Sequence, residues 1–134
     1  MKRAGFTMIE LIFVIVILGI LSAVALPKFI GVSEQAKAGK CKAFIGTLDR
    51  TVFPALWSNM NLNDENATTA FTAAKITNQI DIPEGCGTAA QYAAAASAGT
   101  SFSVTPAGAG TQQYDINATA ATLNTSPILT WTKH

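Results

Sequence analysis

Phe6-Thr7-Met8-Ile9-Glu10-Leu11-Ile12-Phe13-Val14-Ile15-Val16-Ile17-Leu18-Gly19-Ile20-Leu21-Ser22-Ala23-Val24-Ala25-Leu26-Pro27 decides the fold of this chain. Its 22 residues, wound as a helix rising about 1.5 Å each, reach roughly 33 Å, enough to cross a hydrocarbon layer about 30 Å thick. From Leu11 to Pro27 no side chain ionises, and Glu10 stands alone at the front edge. A carboxylate held in hydrocarbon costs roughly 2.5 to 3.5 kcal/mol on insertion scales, so such a group normally has a partner or a function. Glu10 is therefore the residue to explain.

Toward the amino terminus, Met1-Lys2-Arg3-Ala4-Gly5 is too short and too polar for a complete secretory signal, yet it sets two cations directly before the apolar run. Those cations are expected to stay on the cytoplasmic side. The rival is a Sec-type signal peptide with Leu11 to Ala25 as its apolar region and Ser22-Ala23-Val24 or Ala23-Val24-Ala25 as its cleavage site. Glu10 weighs against that, because a charge at the junction weakens a segment meant only to be threaded and discarded.

Ala4-Gly5-Phe6-Thr7-Met8-Ile9-Glu10-Leu11 closely resembles the processing motif of type IV pilins and of the type II secretion pseudopilins, and the resemblance covers about the first 35 residues. It implies that a prepilin peptidase cuts after Gly5, that Phe6 becomes a methylated amino terminus, and that Glu10 is the assembly glutamate. It also implies that the stretch from Gly19 to Pro27 unwinds when subunits pack into a filament. The electrostatics agree with the motif. Once Phe6 is terminal, Glu10 lies near the positive end of a helix dipole and near a free amine. Among parallel helices, one subunit's glutamate can instead meet its neighbour's amine and neutralise two charges that a dry core tolerates poorly.

The 134 residues provide one modest domain plus its anchor: a leader at 1–5, a membrane or filament-core helix at 6–27, and a periplasmic or extracellular head at 28–134. Nine basic side chains face eight acidic ones; loss of Lys2 and Arg3 would leave seven against eight, so direct nucleic-acid binding is not expected. The head is rich in Ala, Thr, Ser, Gly and Asn and should be weakly cored. A bridge between Cys41 and Cys86 would be worth on the order of 4 kcal/mol in the chain-entropy model. Pairing is expected in an oxidising compartment, with two free thiols as the alternative. Two cysteines and the single His134 do not make a zinc site, so neither metal nor cofactor is expected.

Past Pro27 the apolar residues Phe29, Val32, Ala36, Cys41, Phe44, Ile45, Leu48, Val52 and Leu56 recur mostly at three- and four-residue steps, so the helix should continue to about residue 58. Pro27 removes a backbone donor and should kink or melt a turn, with Gly19 as a second weak point; Pro54 should kink or end the helix. Lys28, Lys37, Lys40 and Lys42 form a basic cluster, either a solvated face or a surface for neighbouring Asp64, Glu65, Asp81 or Glu84. Asn59 to Asn66 reads as a polar connection, Ala67 to Gln79 as a short helix and Ile82-Pro83-Glu84-Gly85 as a turn. Ser101 to Thr105, Gln113 to Ala118 and Ile128 to Thr132 read as strands of a small antiparallel meander, separated by turns at Pro106 to Gly110 and Asn124 to Pro127. Beyond Cys86 the alanine-rich texture shows little periodicity. The expected fold is α+β, a long amino-terminal helix on a small antiparallel sheet, burying in part Phe102, Val104, Tyr114, Ile116, Ile128, Leu129 and Trp131.

Asn66-Ala67-Thr68 and Asn117-Ala118-Thr119 are acceptor sequons, each with an aspartate two residues upstream, Asp64 and Asp115, which resembles the extended bacterial acceptor pattern. The head has one terminal histidine, no Ser/His/acid arrangement and no phosphate-cradling glycine loop, so an enzyme is not expected. The resemblance implies a structural subunit, stored in the bacterial inner membrane with its carboxyl terminus periplasmic, that polymerises into a type IV pilus or a secretion pseudopilus. Such filaments support adhesion, motility, DNA uptake or protein secretion. Its implied partners are membrane lipid, further copies of itself, the prepilin peptidase, a cytoplasmic ATPase and an inner-membrane platform. The alternative is a monomeric single-span protein whose head binds a ligand or senses one.

Overall fold

In a computed structural model, residues 5–107 and 111–134 are described; Lys2, Arg3 and most of the turn expected at Pro106 to Gly110 lie outside them. The chain divides into two compact units, Met1–Ser33 and Glu34–His134. The elements run α1 (Met8–Thr47), a π-helical turn (Leu48–Val52), α2 (Phe53–Leu62), α3 (Ala67–Ala70), α4 (Ala73–Thr77), α5 (Ala89–Ala98) and strands β1 (Phe102–Val104), β2 (Tyr114–Thr119) and β3 (Ile128–Lys133). The architecture is the expected α+β one, a long amino-terminal helix with a small antiparallel sheet.

In the first unit, α1 begins at Met8 and contains Pro27 without interruption of the helix. Every large apolar side chain from Phe6 to Phe29 is exposed, from 40% at Ile17 to 81% at Phe6. Among the described residues this is the one helix long and apolar enough to cross a membrane.

In the second unit, the helical spacing read from the sequence does bury one stripe: Cys41, Phe44, Ile45, Leu48, Val52, Phe53, Leu56 and Met60 are all buried. The same spacing upstream does not, since Phe29 and Val32 are exposed. Helix does not end at Pro54 or at residue 58 but reaches Leu62. The reason is the π-helical turn before it. Phe53 N–H bonds the Leu48 carbonyl, one residue further back than in an α-helix, and the widened turn makes room for a proline at the start of α2.

The single helix expected over Ala67 to Gln79 is two. Asn66 Oδ1 caps α3 by accepting from Thr69 N–H, and Thr72 Oγ1 restarts the chain as α4 by accepting from Lys75 N–H. Between them Phe71 leaves the helix to enter the core against Phe53, ring centroids 5.7 Å apart and nearly perpendicular. Helix α5 was not legible as a periodic pattern, yet its ends are specified. Thr88 and Gln91 form a reciprocal capping box, and Gly99 closes the helix at φ +69°. Its Tyr92 is wholly buried between Phe44 and Phe102, edge to face at 5.4 and 5.1 Å.

The expected turn at Ile82 to Gly85 is present, and only glycine suits its end. Gly85 has φ +78°, and a Cβ there would lie 2.2 Å from the Ala107 backbone nitrogen. The three strands form an antiparallel meander in the order β1-β2-β3, with Phe102 opposite Ile116 and Ile116 opposite Trp131. Val104, Ile116 and Leu129 are buried; Phe102, Tyr114 and Trp131 are half-buried, with the Tyr114 and Trp131 rings stacked at 4.6 Å. Ile128 departs from expectation at 55% exposed, because register places it opposite exposed Thr119 on the outer sheet face.

Candidate assembly site and the fastening of the head

Gly5 and Phe6 precede the helix and are exposed, with open space where a Cβ on Gly5 would lie. Thr7 is the residue that sequence reasoning missed. Its Oγ1 accepts from Glu10 N–H at 3.3 Å, while its carbonyl accepts the first helical bond from Leu11 N–H at 3.2 Å. That is an N-cap, and Thr7-Met8-Ile9-Glu10 has the Thr-x-x-Glu spacing that announces one. Capping fixes Glu10 in the first turn of α1, on the positive end of the helix dipole, with its carboxylate exposed. Gly19 and Pro27 both lie inside continuous helix, with open space around Gly19.

Cys41 and Cys86 form a disulfide with their Cα atoms 5.3 Å apart, and both residues are buried. It ties α1 to the turn ahead of α5 across 45 residues. The Tyr92 hydroxyl donates to the Cys86 carbonyl beside it, and burial pushes the phenol's pKa well above its ordinary value. A second fastening joins the π-helical turn to the sheet. Asp49 Oδ1 accepts from Leu129 N–H at 2.9 Å, covering part of the open edge of β3. Desolvation raises the Asp49 carboxyl to about 6, outweighing the opposing pulls of that hydrogen bond and of Arg50. A third is the Trp57 indole, whose Nε1–H donates to the Thr122 carbonyl at 2.7 Å.

Lys28, Lys37, Lys40 and Lys42 are exposed, and none forms an ion pair among the described residues. Asn66 is exposed, but its Oδ1 is occupied as a helix cap and also accepts from the Thr68 hydroxyl at 2.6 Å. Asn117 lies exposed within β2.

Ser103, Asp115 and His134, scattered in sequence, do meet on the outer sheet face. Ser103 Oγ donates to Asp115 Oδ1 at 2.6 Å, and His134 Nδ1 lies 2.8 Å from Oδ2. The carboxylate sits between the other two, so the imidazole is not placed to take the serine's proton. The Ser103 hydrogen bond, and then His134, hold the Asp115 pKa below its ordinary value, which further disfavours it as a base. With His134 N–H donating to the Gln113 carbonyl at 3.1 Å, the group pins the last described residue to the sheet.

Residues 1–26 match the family model described as the prokaryotic N-terminal methylation motif. Over 43 residues, 32% of this chain, the sequence is 49% identical to the type IV narrow pilus major component PilA5 of Thermus thermophilus, and the match spans 37% of that relative's length. No solved structure matches the chain. Both similarities lie in less than half of the chain, and the match spans about a third of the relative's length.

Proposed function

We propose that this chain is a filament-forming subunit, processed between Gly5 and Phe6, methylated at Phe6, and assembled through its apolar helix. The observation that carries this is the exposed helix face. Sixteen large apolar side chains from Phe6 to Phe29 have no cover within the chain. At about 1.5 kcal/mol for each, keeping them from water is worth on the order of 20 kcal/mol, so they need lipid before assembly and neighbouring helices after it. Glu10 then provides register: beside a neighbour's terminal amine its charge is cancelled, and one step out of register it is not.

The unwinding of Gly19 to Pro27 belongs to this proposal. The helix is continuous in the single chain, and a melted turn would lengthen the subunit as it enters the filament. So does pairing of Lys28, Lys37, Lys40 and Lys42 with acidic groups of neighbouring heads. A prepilin peptidase, an ATPase and a membrane platform would act on the chain, first as a single-span inner-membrane protein and then as a pilus component. The role of the Thermus relative, a pilus major component, favours a pilus over a secretion pseudopilus. Glycans on Asn66 or Asn117 would add to the head's outer surface. An intact mass equal to that of the unmodified mature chain would remove them.

The test is Glu10→Ala and Glu10→Lys in cells, with sheared filaments collected by pelleting. Both variants should be processed and inserted, yet yield few or no filaments. Normal filament yield from either rejects the register role. A wild-type chain found only as a dispersed monomer supports the single-span alternative instead.

A further inference from the structure

At the end of α2 the chain reverses sharply. Asn63 N–H bonds the Asn59 carbonyl at 3.1 Å, Asp64 takes φ +51°, and Glu65 N–H returns to the Met60 carbonyl at 3.0 Å. Such a left-handed helix stop sends Glu65 back alongside the helix it has just left. There its Oε2 meets Lys75 Nζ of α4 at 2.7 Å. Between the end of α2 and the α3–α4 pair lies a groove of about 440 Å³, within the size range of small-molecule sites. Leu56 and Ala70 form its floor and are almost wholly buried, so the carbon stems of the polar side chains supply the apolar surface above them.

The groove's remaining lining is unusual for a small head. It carries the carboxamides of Asn59, Asn63, Asn78 and Gln79 around the one Lys–Glu pair. Asn63 Nδ2 is used on the Asn59 carbonyl at 3.0 Å, whereas the side chains of Asn59, Asn78 and Gln79 bond to no described residue. A carboxamide presents a donor and an acceptor side by side, the pairing that adjacent hydroxyls need. The ion pair adds a free carboxylate oxygen and spare ammonium protons while leaving the groove without net charge. Charged ligands gain nothing there. Small apolar patches among donor–acceptor pairs suit a molecule with C–H faces and hydroxyl edges.

We propose that this groove binds a neutral saccharide, held by Asn59, Asn78 and Gln79 and by the polar ends of Glu65 and Lys75. Binding would use the head alone and does not depend on whether the chain polymerises. The test is NMR of the full-length ¹⁵N-labelled chain in a zwitterionic detergent that carries no sugar. Galactose, mannose, N-acetylglucosamine and lactose are titrated into the millimolar range, with glucose 6-phosphate and sialic acid as charged comparators. At least one neutral sugar should shift the side-chain amide signals of Asn59, Asn78 and Gln79 saturably. Asn78→Ala and Gln79→Ala, both at exposed positions, should each weaken it about tenfold without changing the melting temperature, and Gln113→Ala should not. The proposal is overturned if no neutral sugar moves those signals, if the charged comparators bind as well, or if the variants bind unchanged. It is likewise overturned if the signals respond only to protein concentration, which would make the groove a contact between copies.

Discussion

Asp49→Asn should make the head more stable at neutral pH and leave it unchanged in acid. Asp49 sits on the π-helical turn, half-buried, with Oδ1 on the Leu129 amide. Its carboxyl is raised from 3.8 to about 6 in the fold, so the folded state prefers the protonated form. Whatever stability protonation confers is fully present below the unfolded pKa and is lost as pH rises through about 6. At 1.36 kcal/mol per unit the shift corresponds to roughly 3 kcal/mol. Water reaches part of this side chain and screens it, which reduces the figure to about 1 to 2 kcal/mol. Asparagine keeps the acceptor for Leu129 N–H and removes the buried charge, so it should recover that amount at pH 8 and nothing near pH 3.5. Asp49→Ala also removes the charge but strands the Leu129 amide, and should be less stable than Asp49→Asn by about 1 kcal/mol at every pH. Denaturant unfolding of the full chain in micelles, followed by Trp57 and Trp131 fluorescence, reads both. Asp115 titrates alike in all three proteins and cancels in the differences. An Asp49→Asn chain that is less stable than wild type at pH 8, or shifted equally at both pH values, would refute the reasoning.

Cys41→Ser with Cys86→Ser should lower head stability by about 4 kcal/mol, seen as a lower unfolding midpoint and faster proteolysis of the head, while leaving membrane insertion intact. An unchanged midpoint would mean that the buried aromatic cluster holds the head without the bridge. Thr7→Ala should cost α1 about 1 kcal/mol at its first turn and Thr7→Ser far less, measured as faster amide exchange at Glu10 in micelles. Equal exchange in the two variants would exclude the cap.

The membrane-length helix and its processing motif were legible in the sequence because a 22-residue apolar run with a single carboxylate has few physical explanations. The strands were legible too, since Phe102, Tyr114, Ile116, Leu129 and Trp131 stand among turn-forming residues, and each strand was placed to within a residue or two. Helix α5 was hidden because alanine on every face leaves no period to read; Thr88, Gln91 and Gly99 marked its ends instead. Of the two outcomes expected at Pro54, the helix does not end; it deforms into the π-helical turn Leu48–Val52 just before the proline, a device with no sequence signature. Nothing in the sequence singled out Asp49, because its partner, the Leu129 amide, lies 80 residues away. The meeting of Ser103, Asp115 and His134 was likewise invisible until strand register set them side by side.

The most direct measurement is the mass and first residue of the chain recovered from sheared surface filaments. The account predicts a chain lacking Met1 to Gly5 and beginning at a phenylalanine heavier by one methyl group. Filaments built from chains that still begin at Met1, or that begin after Ala25, would contradict it.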